Sequence, residues 1–217
     1  EAMKQNNADV VECGYYTCDV NYKNIKKNKL KESIIDGNYQ CSLKYLAKEN
    51  TTNFNWNKLY RKYLFEDLRF PDYKFSEDYW INTMVFFKCY RKVTLKDCYY
   101  FYVMNKQSAV RKKFEIDIRM DTIKAAQDLF EFHKHRFANL QPFIALYICR
   151  YVLSFYYKMN FYKEHDKRKY NMVLIELKSI FNSYYPEIKD LGLESIKYKI
   201  TFIYMLTFKV NPKVYLV

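Results

Sequence analysis

Glycine occurs only three times in the 217 residues, at Gly14, Gly37 and Gly192. A chain of this length ordinarily carries roughly 15, at a frequency of ~7%. Because the three stand far apart, neither G-x-G-x-x-G nor G-x-x-x-x-G-K-[ST] can be written. A glycine-rich loop that cradles phosphates at a helix N-terminus is therefore excluded. Half of the residues are hydrophobic, enough for a buried core, so the chain is expected to fold.

The basic residues number 37 against 24 acidic, a net charge of +13. Such a balance points to anionic partners: nucleic acid, anionic lipid or phosphorylated substrates. Lysine supplies 29 of the 37 and arginine 8, beside many Asn, Ile and Tyr. AT-rich coding produces that mixture whatever the function, so part of the excess carries no information about partners. The six cysteines, Cys13, Cys18, Cys41, Cys89, Cys98 and Cys149, form no C-x-x-C pair. They are expected to be small buried hydrophobes in a reducing compartment, not zinc ligands or a disulfide framework. The most apolar stretch, Phe143 to Phe161, is interrupted by Arg150 and Lys158, so no spanning helix is expected.

Along the chain, a short helix runs into Asp9 and an apolar strand, Val10 to Tyr16. Residues 21–38 carry loop or hairpin chemistry, with Asp36-Gly37 as a turn signal. A helix follows from Tyr39 to Ala47. Alternation from Phe54 to Tyr60 predicts an extended strand with Phe54, Trp56 and Lys58 on one face. Arg61 to Leu68 is helical by pattern and stops at Pro71. Ser76 reads as an N-cap, with Glu77 and Asp78 in the first turn of a helix to Tyr90. Two strands, Lys92 to Lys96 and Tyr99 to Met104, come next. From Asp117 to Tyr185 the pattern is helical, with Pro142 and Lys163 to Lys169 as interruptions, and an amphipathic segment spans Ser195 to Lys209. The expected fold class is α/β with a mixed sheet over residues 1–111, followed by a mainly helical region over 112–217.

Three histidines offer little chemistry. His133 and His135 stand two apart in a helix and face different directions, which makes a poor metal pair. Together with His165 they are expected at the surface.

The order of motifs from Trp56 to Arg111 is more informative. "W-N-K-L-Y-R-K", "L-R-F-P", "S-E-D" at a helix start, "Y-Y-F-Y" and "N-K-Q-S-A-V-R" follow one another. Preceded by "N-N-A-D-V-V-E-C-G-Y-Y", this order resembles the second half of the catalytic domain of family 2 glycosyltransferases. These are GT-A fold enzymes of bacterial capsule, lipopolysaccharide and wall polysaccharide synthesis. The likeness covers about half of the chain.

That resemblance implies an inverting transfer from a nucleotide-sugar donor to a glycan or lipid-linked saccharide acceptor. Asp78 matches the second acid of the family's "E-D" motif and would be the base that takes the acceptor proton. Glu77 would orient it or bind acceptor hydroxyls. The alternative for both acids is complementing the helix dipole. Trp56, Asn57 and Lys58 would edge the acceptor cleft, with Trp56 stacking on a sugar; otherwise Trp56 is core and Lys58 a solvated charge. Tyr102, Asn105 and Ser108 fall where the family carries groups near the donor phosphates. Val103 stands where an arginine is common, and Arg111 is the candidate to replace its charge.

The family also binds the sugar nucleotide on βαβ units and holds Mn²⁺ or Mg²⁺ through a D-x-D or D-D motif. Neither feature occurs here, so the chain is expected to begin after that half and to bind neither UDP-sugar nor cation tightly by itself. The implied location is cytoplasmic, with possible peripheral contact at an anionic membrane. For the helical region, a membrane-surface face built on Tyr156, Tyr157, Lys158, Tyr162 and Lys163 competes with stripes that pack inward: Leu129, Phe132 and Phe137; Leu146, Cys149, Val152 and Leu153; Met172, Ile175 and Leu177. The alternative function is a noncatalytic remnant or a helical interaction module. A nucleic-acid binder is disfavoured, because no recognisable reader module is present.

Overall fold

A computed structural model describes residues 1–73, 76–105, 116–159, 167–188 and 191. The chain divides into two compact units, Glu1–Glu115 and Ile116–Val217.

In the first unit the strand elements are β1 (Val10–Cys18), β2 (Lys26–Asn28), β3 (Ser33–Asp36), β4 (Lys58–Tyr60) and β5 (Arg91–Val103). The helices are α1 (Ala2–Gln5), α2 (Asn38–Leu46) and α3 (Glu77–Lys88). They build a mixed sheet in the order β2-β1-β5-β3, with β4 also paired to β1. β1 runs parallel to β5, while β2 and β4 pair antiparallel with successive halves of β1. Strand alternation sends neighbouring residues to opposite faces. Val11 and Val93 pair in register and join Ala8, with Ala2, Met3 and Leu95 packed against them. Glu12 and Lys92 take the other face, where the Lys92 ammonium lies 5.7 Å from the Phe86 ring centre of α3. α2 packs on α3 there, with Tyr45 stacked on Phe86 at 4.7 Å.

Several expectations change. The segment from Phe54 is extended only over Lys58–Tyr60, because Asn55 and Asn57 spend their amides on buried partners instead of a strand ladder. The two strands expected after Lys92 are one, β5, whose pairing with β1 resumes at Cys98 after a register shift over residues 95–97. Arg61 to Leu68 yields only a single 3₁₀ turn, Lys62–Phe65. Ser76 holds the N-cap position with a left-handed backbone (φ 68°) and makes no side-chain capping hydrogen bond, and Glu77 and Asp78 follow it in the first turn.

The register of β1 against β5 shifts on either side of Gly14. A Cβ there would lie 2.6 Å from Cys98 Sγ and 2.7 Å from the Asn28 carbonyl oxygen. Gly14→Ala is therefore expected to destabilise the fold by about 1–3 kcal/mol, read as a lower urea midpoint with an unchanged m-value.

The second unit contains α4 (Ile116–His133), α5 (Gln141–Met159) and α6 (Lys167–Tyr184). Pro142 sits in the first turn of α5 and opens that helix instead of interrupting one. Lys167 to Lys169 already belongs to α6, while 163–166 and 195–209 lie outside the described residues. Leu129, Leu146, Cys149, Val152 and Leu177 are buried as expected. Met172 and Ile175 are 61% and 70% exposed; the inward stripe of α6 is Val173, Leu177 and Phe181, spaced by four. His133 is buried, not superficial, with Nδ1 2.9 Å from the Leu129 carbonyl oxygen. His135 is exposed, and His165 lies outside the described residues. All six cysteines are free thiols, four of them buried. Among the described residues no helix is long and apolar enough to cross a membrane.

Candidate active site

The site begins with a glutamate where a strand calls for an apolar residue. Glu12 lies in β1 on the face covered by α3 and is completely buried. A buried carboxylate persists only when charges and hydrogen bonds replace its water. Lys58, its register partner on β4, lies 3.2 Å from Oε1, and Lys92 of β5 lies 2.7 Å from Oε2. Thr51 Oγ1 donates to Oε2 at 2.7 Å, and the Thr52 amide donates to Oε1 at 2.7 Å. Burial pushes the Glu12 carboxyl up, but Lys58 and then Lys92 overcome it and bring it down to about 2. Burial lowers the Lys58 ammonium to about 8, against the pull of Glu12. The asymmetry is physical: one anion answers to two cations, so the anion gains more than Lys58 does.

Lys58 is thus not a solvated charge. Its side chain is fully buried, and Nζ reaches the Thr52 and Phe54 carbonyl oxygens at 2.9 and 2.5 Å. Asn57 is buried too, donating from Nδ2 to the Cys13 carbonyl at 2.8 Å. Both residues, expected at an acceptor cleft, hold the loop 51–58 around Glu12.

Asp78 stands beside this cluster in the first turn of α3, half-buried. Asn55 Nδ2 donates to its Oδ1. The buried Asn82, one turn on, sends Nδ2 to the Asp78 carbonyl at 2.9 Å and to Asn55 Oδ1 at 2.6 Å. Tyr60 of β4 donates to Asn82 Oδ1 at 2.7 Å. Its phenol is raised by burial and by the Glu12 and Asp78 charges. Burial, then Glu77, raises the Asp78 carboxyl to about 6, with Lys58 opposing. The result is a carboxyl raised above its ordinary range and held by an amide relay from the loop 51–58 and α3.

Trp56 lies among aromatic rings: 4.5 Å from Tyr100, 5.1 Å from Tyr102 and 4.6 Å from Phe54, all near-parallel, with Tyr15 edge-on at 4.9 Å. Tyr102 therefore belongs with Trp56, although the sequence motifs put the two on opposite sides of a reaction. Trp56, Asn57 and Lys58 together line an open cavity of about 530 Å³ with Cys13, Tyr99 and Tyr100, so the three residues expected at one cleft do share one. Glu77 is half-buried beside Asp78, Asn105 is exposed just past β5, and Ser108 and Arg111 lie outside the described residues.

Glu12, Thr51, Thr52, Asn55, Tyr60, Asn82 and Lys92 were not singled out by sequence. The usable signals were a lone acid within "V-V-E-C-G" and the amide-rich run "T-T-N-F-N-W-N-K". Among the described residues no group of three His, Cys, Asp or Glu is placed to hold a metal ion. Comparison of the chain with models of known families and with curated proteins finds no match.

Proposed function

We propose that this chain is the acceptor side of an inverting family 2 glycosyltransferase with a partial GT-A fold, and that Asp78 is its base. The observation that carries the proposal is the state of Asp78: half-buried, raised to about 6 by burial and Glu77, and oriented by Asn55. A base with that pKa is deprotonated at neutral pH yet retains real proton affinity. As an acceptor hydroxyl attacks the anomeric carbon, its proton passes to Asp78, a C–O bond forms, and the nucleotide departs with the electron pair of the broken bond. The donor half lies outside these residues in this proposal. The aromatic group at Trp56, Tyr100 and Tyr102 supplies sugar-stacking surface, with polar edges from Tyr hydroxyls.

The direct test uses the chain itself. Titrating it with lipid-linked or free oligosaccharide acceptors, while following the Asp78 carboxyl and Trp56 indole by NMR, is expected to move both signals saturably. An Asp78 signal that titrates near 4, or that ignores the acceptors while Trp56 also stays still, defeats the proposal.

A further inference from the structure

The hairpin joining β1 and β2 ends in a tip, residues 19–25, built around one carboxylate. Asp19 accepts from the Asn21 and Lys23 amides, both at 2.9 Å, and from Asn24 Nδ2 at 2.8 Å. The Asp19 amide donates to the Lys23 carbonyl at 3.0 Å, and Tyr22 and Asn24 take left-handed φ values of 57° and 56°. This order serves no core. It turns Val20, Tyr22 and Ile25 outward, at 58%, 63% and 55% exposure. Hydrophobic residues held out by a loop with its own hydrogen-bond framework call for a partner.

The charge around them is one-sided. From Cys18 through Lys31 there are five lysines and one acid, and that acid, Asp19, is spent on the loop. Lys27 lies 5.6 Å from the Tyr16 ring centre, and Tyr16 stacks on the exposed Phe101 at 4.7 Å, extending the patch over β1 and β5. No arginine precedes Arg61, although arginine is the preferred residue for bidentate phosphate recognition in nucleic acids. Aliphatic tips ringed by lysine and tyrosine match a bilayer interface instead, where tyrosine sits at headgroup depth and lysine snorkels.

We propose that this hairpin tip docks on an anionic lipid bilayer, with Val20, Tyr22 and Ile25 entering the headgroup region and Lys23, Lys26 and Lys27 against the lipid phosphates. The surface is distinct from Asp78 and its relay, and it does not depend on the transferase proposal.

The test is sedimentation of the full chain with sucrose-loaded vesicles, either pure phosphatidylcholine or phosphatidylcholine and phosphatidylglycerol at two to one. Binding is expected only to the anionic vesicles and weakens with salt. K23Q/K26Q/K27Q is expected to lower partitioning by about 100-fold, at about fivefold per lysine. V20S/Y22N/I25S is expected to lose binding while its circular dichroism stays unchanged, since the three residues are more than half exposed. Failure of the chain to bind anionic vesicles overturns the proposal, as does equal binding by the tip variant. So does tip-dependent binding of DNA without lipid binding, or tip-dependent self-association in sedimentation velocity, which would make the hairpin an interface between copies.

Discussion

Glu12→Ala is expected to lose about 3–5 kcal/mol of stability, because it strands two cations in a dry interior. Lys58 and Lys92 converge on Glu12 from neighbouring strands, and no other carboxylate is ion-paired with either among the described residues. The damage runs beyond charge. Thr51 and Thr52 would lose the acceptor that holds the loop 51–58, from which Asn55 orients Asp78. Lys58→Met is expected to cost less, since Glu12 then keeps Lys92 and both threonine contacts. The pH dependence carries the same signature. Glu12 is depressed from 4.5 to about 2 in the fold, so its contribution is complete above the unfolded value and disappears as pH falls from about 4.5 to 2. In Glu12→Gln that acid-side loss flattens. Urea denaturation across this range reads both effects, and a Glu12→Ala midpoint within about 0.5 kcal/mol of the parent would remove the network from the account.

Why this network escaped the sequence is a matter of sequence distance. Glu12, Thr51, Lys58, Asp78 and Lys92 come from four segments, and β1 pairing with both β4 and β5, together with hydrogen bonds from the loop 51–58, brings them together. Local signals read what is local. "V-V-E-C-G-Y-Y" announced β1, and "S-E-D" announced the start of α3 and the placement of Asp78. Alternation misled at Phe54 to Asn57, where a period of two reflects asparagines turned to buried acceptors and not a strand. It split β5 at Lys96-Asp97, where both residues are exposed because the pairing with β1 shifts register there while the strand itself continues. Lys58 shows the limit most clearly: a lysine after Trp-Asn reads as surface, and only the acid on the adjacent strand makes it interior.

Asp78→Asn is expected to move stability and activity in opposite directions. The carboxyl is raised from 3.8 to about 6 by burial and Glu77. A raised carboxylate favours the fold fully below its unfolded value and loses that advantage as pH rises through the folded one, so at pH 7 ionised Asp78 is a liability. The amide removes the charge but leaves an oxygen to accept from Asn55. The variant is expected to be more stable at pH 7 by on the order of 1 kcal/mol after discounting for its half-exposed position, with the difference vanishing below about pH 4. In the transferase proposed above, assayed together with a donor half, the same change is expected to lower transfer about 10²–10⁴-fold. The parent activity should rise through an acid limb near 6. A residue that merely caps α3 predicts another pattern: losing its charge at the helix N-terminus weakens the fold, and activity falls only as the fold does. Thermal melts at pH 4 and 7 beside the pH profile of kcat/KM separate the two. A less stable variant, or a limb near 4, assigns Asp78 to the helix and not to the chemistry.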